Sequence, residues 1–271
     1  MPVCASLLLK DFAKRGSEAQ PGSEATTTAS EATMPRKPLA TMYSMNQKIL
    51  VVLAGCGAKD GAEIHESVLT LLAIDKAGCS YHCAAPNKKQ HHVLNFIDDT
   101  EMPEERNVMI ESARISRGKI FDLSQITMKD YDAVIFPGGF GVAKNLCSFA
   151  FDGADASVDP EVKRIINEAY DARKPIGAIC VAPALIALAL AEKNPNITLT
   201  LGTDADANAN LETIGVKSRS CPTTSFVRDD ENLIVSSPAY MHGNSSISEL
   251  EQGISQCVNA VIEMTQKKVT S

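Results

Sequence analysis

The feature that most constrains this chain is an apolar run at residues 176–191, broken only by Gly177 and Pro183. It falls short of the roughly 18 to 20 apolar residues that a bilayer span requires. The run therefore reads as a buried strand, Ile176-Gly177-Ala178-Ile179, that turns at Cys180 into a buried helix opening Val181-Ala182-Pro183. Proline suits the first turn of a helix, where its missing N–H has no intrahelical partner in any case. A buried strand running straight into a buried helix needs cover on every side, which points to a layered α/β fold.

The rest of the chain fits that pattern. Ile49-Leu50-Val51-Val52-Leu53 reads as a second buried strand, and Ile64, Val68, Leu71, Leu72 and Ile74 form a helical stripe after it. A strand at 80–85, a helix at 104–115, a strand at 132–136 ending in Pro137-Gly138-Gly139, and a helix at 160–172 lead into the run at 176. Later strands are expected at 197–201, 217–220, 225–228 and 232–236, the last two joined as a hairpin across Asp229-Asp230-Glu231, and a helix at 246–266 closes the chain. Residues 46–271 are thus expected to form one α/β domain with a largely parallel sheet covered on both faces.

Residues 1–45 have a different character, with 17–33 almost entirely Ser, Thr, Ala, Glu, Gly, Gln and Pro. Such a stretch buries too little apolar area to offset its ordering entropy. It reads as a linker after a short amphipathic start, or as an organelle transit peptide; Asp11, Glu18, Glu24 and Glu31 weigh against the second reading, since transit peptides are poor in acids. Cytoplasm and mitochondrion both stay open. An apolar fraction of 44% with 22% charged residues excludes wholesale disorder and a collagen-like chain. The net charge of −7 argues against a nucleic-acid partner. The eight cysteines are far apart in a chain able to bury its own core, which favours reduced intracellular thiols over a disulfide framework. No secretory signal precedes the sequons at Asn196 and Asn244, which are therefore expected to be unused.

In a parallel sheet, ligands bind beyond the carboxyl ends of the strands. That rule selects the loops at 54–61 and 137–145 and the Cys180 turn. Ala178 and Ala182 flank Cys180 at the two positions where a nucleophile elbow needs small side chains. A thiol there would face a helix N-terminus, whose partial positive charge favours thiolate, and the Val181 N–H would point toward an oxyanion. The turn at Gly138 and Gly139 exposes backbone to substrate, with the Gly139 N–H as the second oxyanion donor. Glu66 reads either as a buried carboxyl exchanging a proton with Cys180 or as a solvated helix residue. His65 is either a base or a surface histidine on the helix start. Asp60-Gly61-Ala62-Glu63 has the form of a capping box, which makes Glu63 structural. Cys56 is a candidate second, redox-sensitive thiol.

Other chemistries fit poorly. Gly139-x-Gly141-x-x-Lys144 lacks the third glycine of a dinucleotide fingerprint, and Gly55-x-Gly57-x-x-x-Gly61 is one residue too long, so no nucleotide cofactor is expected. Cys79 and Cys83 lie roughly 13 Å apart along a strand, too far to share a metal, and His91-His92 has no partner motif. A Ser-His-Asp hydrolase is not expected, since the elbow carries Cys and His242 is the sole late histidine.

The strings Ile176-Gly-Ala-Ile-Cys180-Val-Ala-Pro, Pro137-Gly-Gly-Phe-Gly-Val-Ala-Lys-Asn-Leu146 and Gly55-Cys-Gly-Ala-Lys-Asp-Gly-Ala-Glu-Ile-His-Glu66 together resemble the ThiJ/PfpI superfamily, of class I glutamine-amidotransferase-like fold. Residues 106–118 and Ser237-Pro-Ala-Tyr-Met241 are similar to its ElbB subgroup and mitochondrial relatives, and the likeness covers about 47–264. The resemblance implies a flavodoxin-like three-layer sandwich, a homodimer, Cys180 as elbow nucleophile, Glu66 as its carboxyl partner, and Gly139 and Val181 as oxyanion donors. It implies glutathione-independent glyoxalase activity on methylglyoxal or glyoxal, needing no cofactor, with a weakly active or non-catalytic thiol sensor or chaperone-like protein as the alternative. Relatives with a Cys-His pair carry the histidine near Leu201-Gly202-Thr203 of this sequence, where this chain has none. Proton transfer then falls to His65 or Glu66. The late His-x-Glu of the amidotransferase triad is also missing.

Overall fold

The computed structural model describes residues 47–266; the expectations for residues 1–45 lie outside them. Within that range the strands are β1 (Lys48–Val52), β2 (Ser80–Ala85), β3 (Ile120–Asp122), β4 (Ala133–Phe136), β5 (Ile176–Ile179), β6 (Thr198–Leu199), β7 (Lys217–Ser218), β8 (Val227–Asp229) and β9 (Ile234–Ser237). The helices are α1 (Ile64–Lys76), α2 (Val108–Ile115), α3 (Phe149–Asp152), α4 (Pro160–Asp171), α5 (Ala182–Leu190), α6 (Ala205–Ile214) and α7 (Ile247–Gln266).

Seven strands form one sheet in the order β3-β2-β1-β4-β5-β9-β8, parallel throughout except for β8, which pairs antiparallel with β9. β6 and β7 make a separate two-stranded parallel ribbon. The sheet is flanked by helices, α1 packing on α7 and α4 on α5. This is the expected α/β, flavodoxin-like sandwich. Beyond Lys48, which opens β1 and is only partly buried, the central strands β1, β4 and β5 carry no polar side chain and are buried on both faces, as strands of a covered parallel sheet must be. No helix among the described residues is long and apolar enough to cross a membrane.

Some boundaries differ from the sequence reading. α2 starts at Val108 because the side chain of Asn107 accepts the N–H of Ile110 and fixes the start there. α1 is capped by Glu63, whose Oε2 accepts the N–H of Glu66 at 2.7 Å. Asp60 instead accepts the N–H of Leu94 and ties two loops together. The edge strand β3 and the helix α6 are additions to the expected pattern.

Candidate functional site

The carboxyl ends of β1, β4, β5 and β9 converge, and the elbow lies among them. β5 stops at Ile179, and Cys180 takes φ +61°, in the left-handed region. For an L-residue that conformation costs roughly 1–2 kcal/mol. It is held from both sides: the Cys180 N–H donates to the Ser237 carbonyl at 2.8 Å, and α5 begins two residues later. The thiol is nearly enclosed, at 4% exposure.

The carboxyl of Glu66, wholly buried, lies against that thiol. Its Oε2 accepts the N–H of Gly138 at 3.1 Å and its Oε1 the N–H of Tyr240 at 3.1 Å, while a third hydrogen bond joins it to Cys180. The buried reading of Glu66 is therefore the one the fold adopts. Close approach of these elements depends on the glycine pair. A Cβ on Gly138 would overlap the Cβ of Cys180 and lie 2.6 Å from Glu66 Oε2. Gly139 has φ +100°, and a Cβ there would overlap the backbone nitrogen of Glu63. The Gly139 N–H is turned to the Cys180 sulfur. The sequence places Gly138 among the substrate-facing positions; the structure instead commits its N–H to Glu66 and its carbonyl to the Glu63 N–H at 2.9 Å.

Burial pushes the Glu66 carboxyl up to about 8; the nearby Glu63 carboxylate adds to the rise, and the hydrogen bonds from Tyr240, Cys180 and Gly138 oppose it. Burial also pushes the Cys180 thiol well above its ordinary range, helped by the Glu66 charge, with the Gly139 N–H working the other way. At neutral pH both groups hold their protons. The thiolate expected from the helix N-terminus is thus outweighed by desolvation and an adjacent acid. As the pH approaches 8, one proton leaves, and it belongs to the pair rather than to either residue.

The remaining candidates divide. Val181 follows Cys180 directly and its N–H opens α5, where helix N–H groups have no intrahelical acceptor. His65 is exposed, with Nδ1 2.9 Å from the hydroxyl of Tyr240. Cys56 lines a separate cleft of about 510 Å³ with Gly57, Asp60, Phe96 and Arg106. Burial and then Glu111 push its thiol up, which opposes the ionisation that a redox-sensitive cysteine needs. His242 holds Nε2 3.3 Å from both the Thr203 nitrogen and the Cys221 carbonyl oxygen, and a Cβ on Gly202 would lie 2.9 Å from it. An imidazole thus covers the stretch behind the elbow helix that lacks a histidine of its own, brought there from the loop after β9. Tyr240 is the site residue that the sequence reading missed. Its contribution to Glu66 is a backbone N–H, which has no residue signature; the only signal was its place in the Ser237-Pro-Ala-Tyr-Met241 string. The seven cysteines among the described residues are all free thiols, and no group of three metal-ligating side chains occurs there.

Known proteins resemble this chain to different depths. The mitochondrial ES1 protein homolog of Rattus norvegicus is 37% identical over 226 residues, covering 81% of this chain and 85% of its own. The crystal structure of an isoprenoid biosynthesis protein with amidotransferase-like domain from Ehrlichia chaffeensis superposes with a TM-score of 0.75 at 38% identity, covering 80% of this chain and 99% of its own. Glyoxalase III from Candida albicans, at 15% identity and a TM-score of 0.52 over 79% of this chain and 97% of its own, shares the fold alone. The DJ-1/PfpI family model matches residues 47–242, the stretch that holds the elbow, the glycine pair, Glu66 and Tyr240, and the chain belongs to that family.

Proposed function

We propose that this chain converts small dicarbonyls such as methylglyoxal and glyoxal to hydroxy acids, without glutathione, through Cys180. The observation that carries the reading is the buried Glu66–Cys180 pair, in which a carboxyl of raised pKa is hydrogen-bonded to the thiol whose proton it would take and return. Addition of the thiol to an aldehyde suits such a pair. Sulfur bonds to the carbonyl carbon, the thiol proton reaches the carbonyl oxygen, and the hemithioacetal forms with no net change of charge. Removal of the hydrogen on that carbon and its return to the neighbouring carbon pass through an enediolate and give a thioester. Water then cleaves the thioester to the hydroxy acid and restores the thiol. The Val181 N–H at the start of α5, and the Gly139 N–H once the sulfur it rests on has bonded to carbon, are the donors this reading assigns to the oxygen that gathers charge. A thiol sensor is the weaker reading, because sensing needs an exposed thiolate and Cys180 is neither exposed nor ionised at neutral pH.

The test is lactate formation from methylglyoxal in the absence of glutathione. Cys180→Ser should abolish it, and turnover that survives this substitution overturns the mechanism. We further propose import into mitochondria, as the name of the rat relative suggests, and a homodimer formed through the exposed stripe Ile64, Val68 and Leu72 on α1. Sedimentation of wild type and Val68→Glu checks the second proposal.

A further inference from the structure

Tyr240 touches the two neighbours on α1 that point in opposite directions. Its backbone N–H holds Oε1 of the buried Glu66 at 3.1 Å, and its hydroxyl lies 2.9 Å from Nδ1 of the exposed His65. The residue is fixed for this. β9 pairs in register with β5 as far as Ser237 opposite Ile179, so the next turn lies beside the elbow. That turn closes through the Met241 N–H on the Pro238 carbonyl at 2.9 Å, with Ala239 fully buried and at φ +43°. A non-glycine residue persists there only where its surroundings over-determine it. His65 sits on the first turn of a helix capped by Glu63. The rings stand 5.9 Å apart between centroids and are tilted by 45°, so the contact is a hydrogen bond and not a stack.

A tyrosine hydroxyl can give or take a hydrogen bond, and here burial and then the Glu63 and Glu66 carboxyls keep its proton on the oxygen. A hydroxyl that donates to Nδ1 leaves the imidazole proton on Nε2. We propose that Tyr240 is a positioning residue for the Cys180 reaction: its hydroxyl holds His65 in the Nε2–H form, which leaves that N–H to serve as a donor to the substrate carbonyl oxygen. His65 then acts as an electrophilic hydrogen-bond donor and not as the base. The inference rests on the carbonyl-addition reading of Cys180, but the tautomer it assigns can be measured without any turnover.

The test compares ¹⁵N-labelled full-length wild type, Tyr240→Phe and His65→Gln, the last to assign the resonance. Long-range imidazole spectra should show His65 as the Nε2–H tautomer in the wild type and as a mixture in Tyr240→Phe. Alkylation of Cys180 by iodoacetamide should be unchanged in Tyr240→Phe, because the phenylalanine keeps the backbone donor to Glu66. On methylglyoxal, Tyr240→Phe should lower kcat about tenfold with little change in KM, and should add nothing in a His65→Ala background. An Nδ1–H tautomer in the wild type, a tautomer unmoved by Tyr240→Phe, or an equal loss with and without His65, overturns the proposal. If the wild type turns over no dicarbonyl, the reaction assigned to Cys180 falls, while the tautomer comparison still decides what Tyr240 does to His65.

Discussion

Glu66→Gln separates the proposed pair from a thiol that reacts alone. In the wild type the Glu66–Cys180 pair is expected to lose a proton at about 8, so about one tenth of it is ionised at pH 7 and half at pH 8. If the Glu66 carboxylate takes the thiol proton as sulfur attacks, Cys180 modification and turnover should rise about tenfold per pH unit and level off above about 8. Glutamine fills the same space but cannot accept the proton. General-base assistance is worth about 10² or more, so alkylation at pH 8 should fall by at least about a hundredfold. The remaining rate should climb without a break near 8, because burial still holds the thiol above its ordinary range. The same substitution has a stability signature. The Glu66 pKa is raised in the folded state, so the fold binds an extra proton between 4.5 and about 8. The Glu66 contribution to stability is therefore fully present below 4.5 and is lost by roughly 1.4 kcal/mol per pH unit across that window, a component of the pH dependence that Glu66→Gln removes. The assays are the iodoacetamide rate at Cys180 by mass spectrometry and urea midpoints, each from pH 5 to 9. A Glu66→Gln protein that alkylates at the wild-type rate with the same midpoint near 8 refutes the reasoning.

Gly138→Ala forces a methyl into Cys180 and Glu66, and should destabilise the fold by about 1–3 kcal/mol in urea and abolish turnover. Gly139→Ala meets both a left-handed backbone and the Glu63 nitrogen, so circular dichroism should report a loss at least as large. Cys180→Gly should be more stable than Cys180→Ala by about 1 kcal/mol, since glycine adopts φ +61° without strain; a less stable glycine variant would mean that the elbow is not strained. His242→Gln should leave kcat/KM on methylglyoxal unchanged, because Nε2 faces the Thr203 nitrogen and the Cys221 carbonyl, one of which is its hydrogen-bond partner in either tautomer, and not the Glu66–Cys180 pair.

The elbow was legible in the sequence because its parts are contiguous. A strand, a cysteine between small residues and an immediate helix fall within one apolar run, and the glycine pair follows another buried strand. Elements that depend on distant partners were not. Tyr240 and Glu66 are 174 positions apart and joined through a backbone N–H. β3 has only three residues, too few for an alternation to stand out, and it is specified by its register with Cys83, Ala84 and Ala85. α6 buries only Ala207, Asn208 and Leu211, so its apolar stripe is faint, although its ends were readable. Asp204 caps the first turn by accepting the Ala207 N–H, and Gly215 closes the last in the left-handed region. The protonation state of Cys180 was unreadable for a different reason. The helix N-terminus is local and visible in sequence, whereas the desolvation that outweighs it comes from the whole enclosing core.

That protonation state also bears on which reactions the site can perform. Cleaving an amide needs an acid to protonate the departing nitrogen, and the usual cysteine amidase obtains it by giving the thiol proton to an imidazole. Here the thiol is paired with a carboxyl, and His242 is bound to backbone away from that pair's hydrogen bonds. Addition to an aldehyde has no departing nitrogen: the proton that leaves sulfur goes to oxygen, and Glu66 can pass it on and recover it. The pair is thus matched to uncharged carbonyls and mismatched to amides. Glutamine hydrolysis, followed as ammonia release, should be absent at pH 8, where the pair is half ionised and the proposed methylglyoxal turnover should approach its plateau. Ammonia release at a rate comparable to lactate formation, and lost in Cys180→Ser, would show that the site can protonate a leaving nitrogen after all, and the assignment of its acid would have to move from Glu66 to an imidazole.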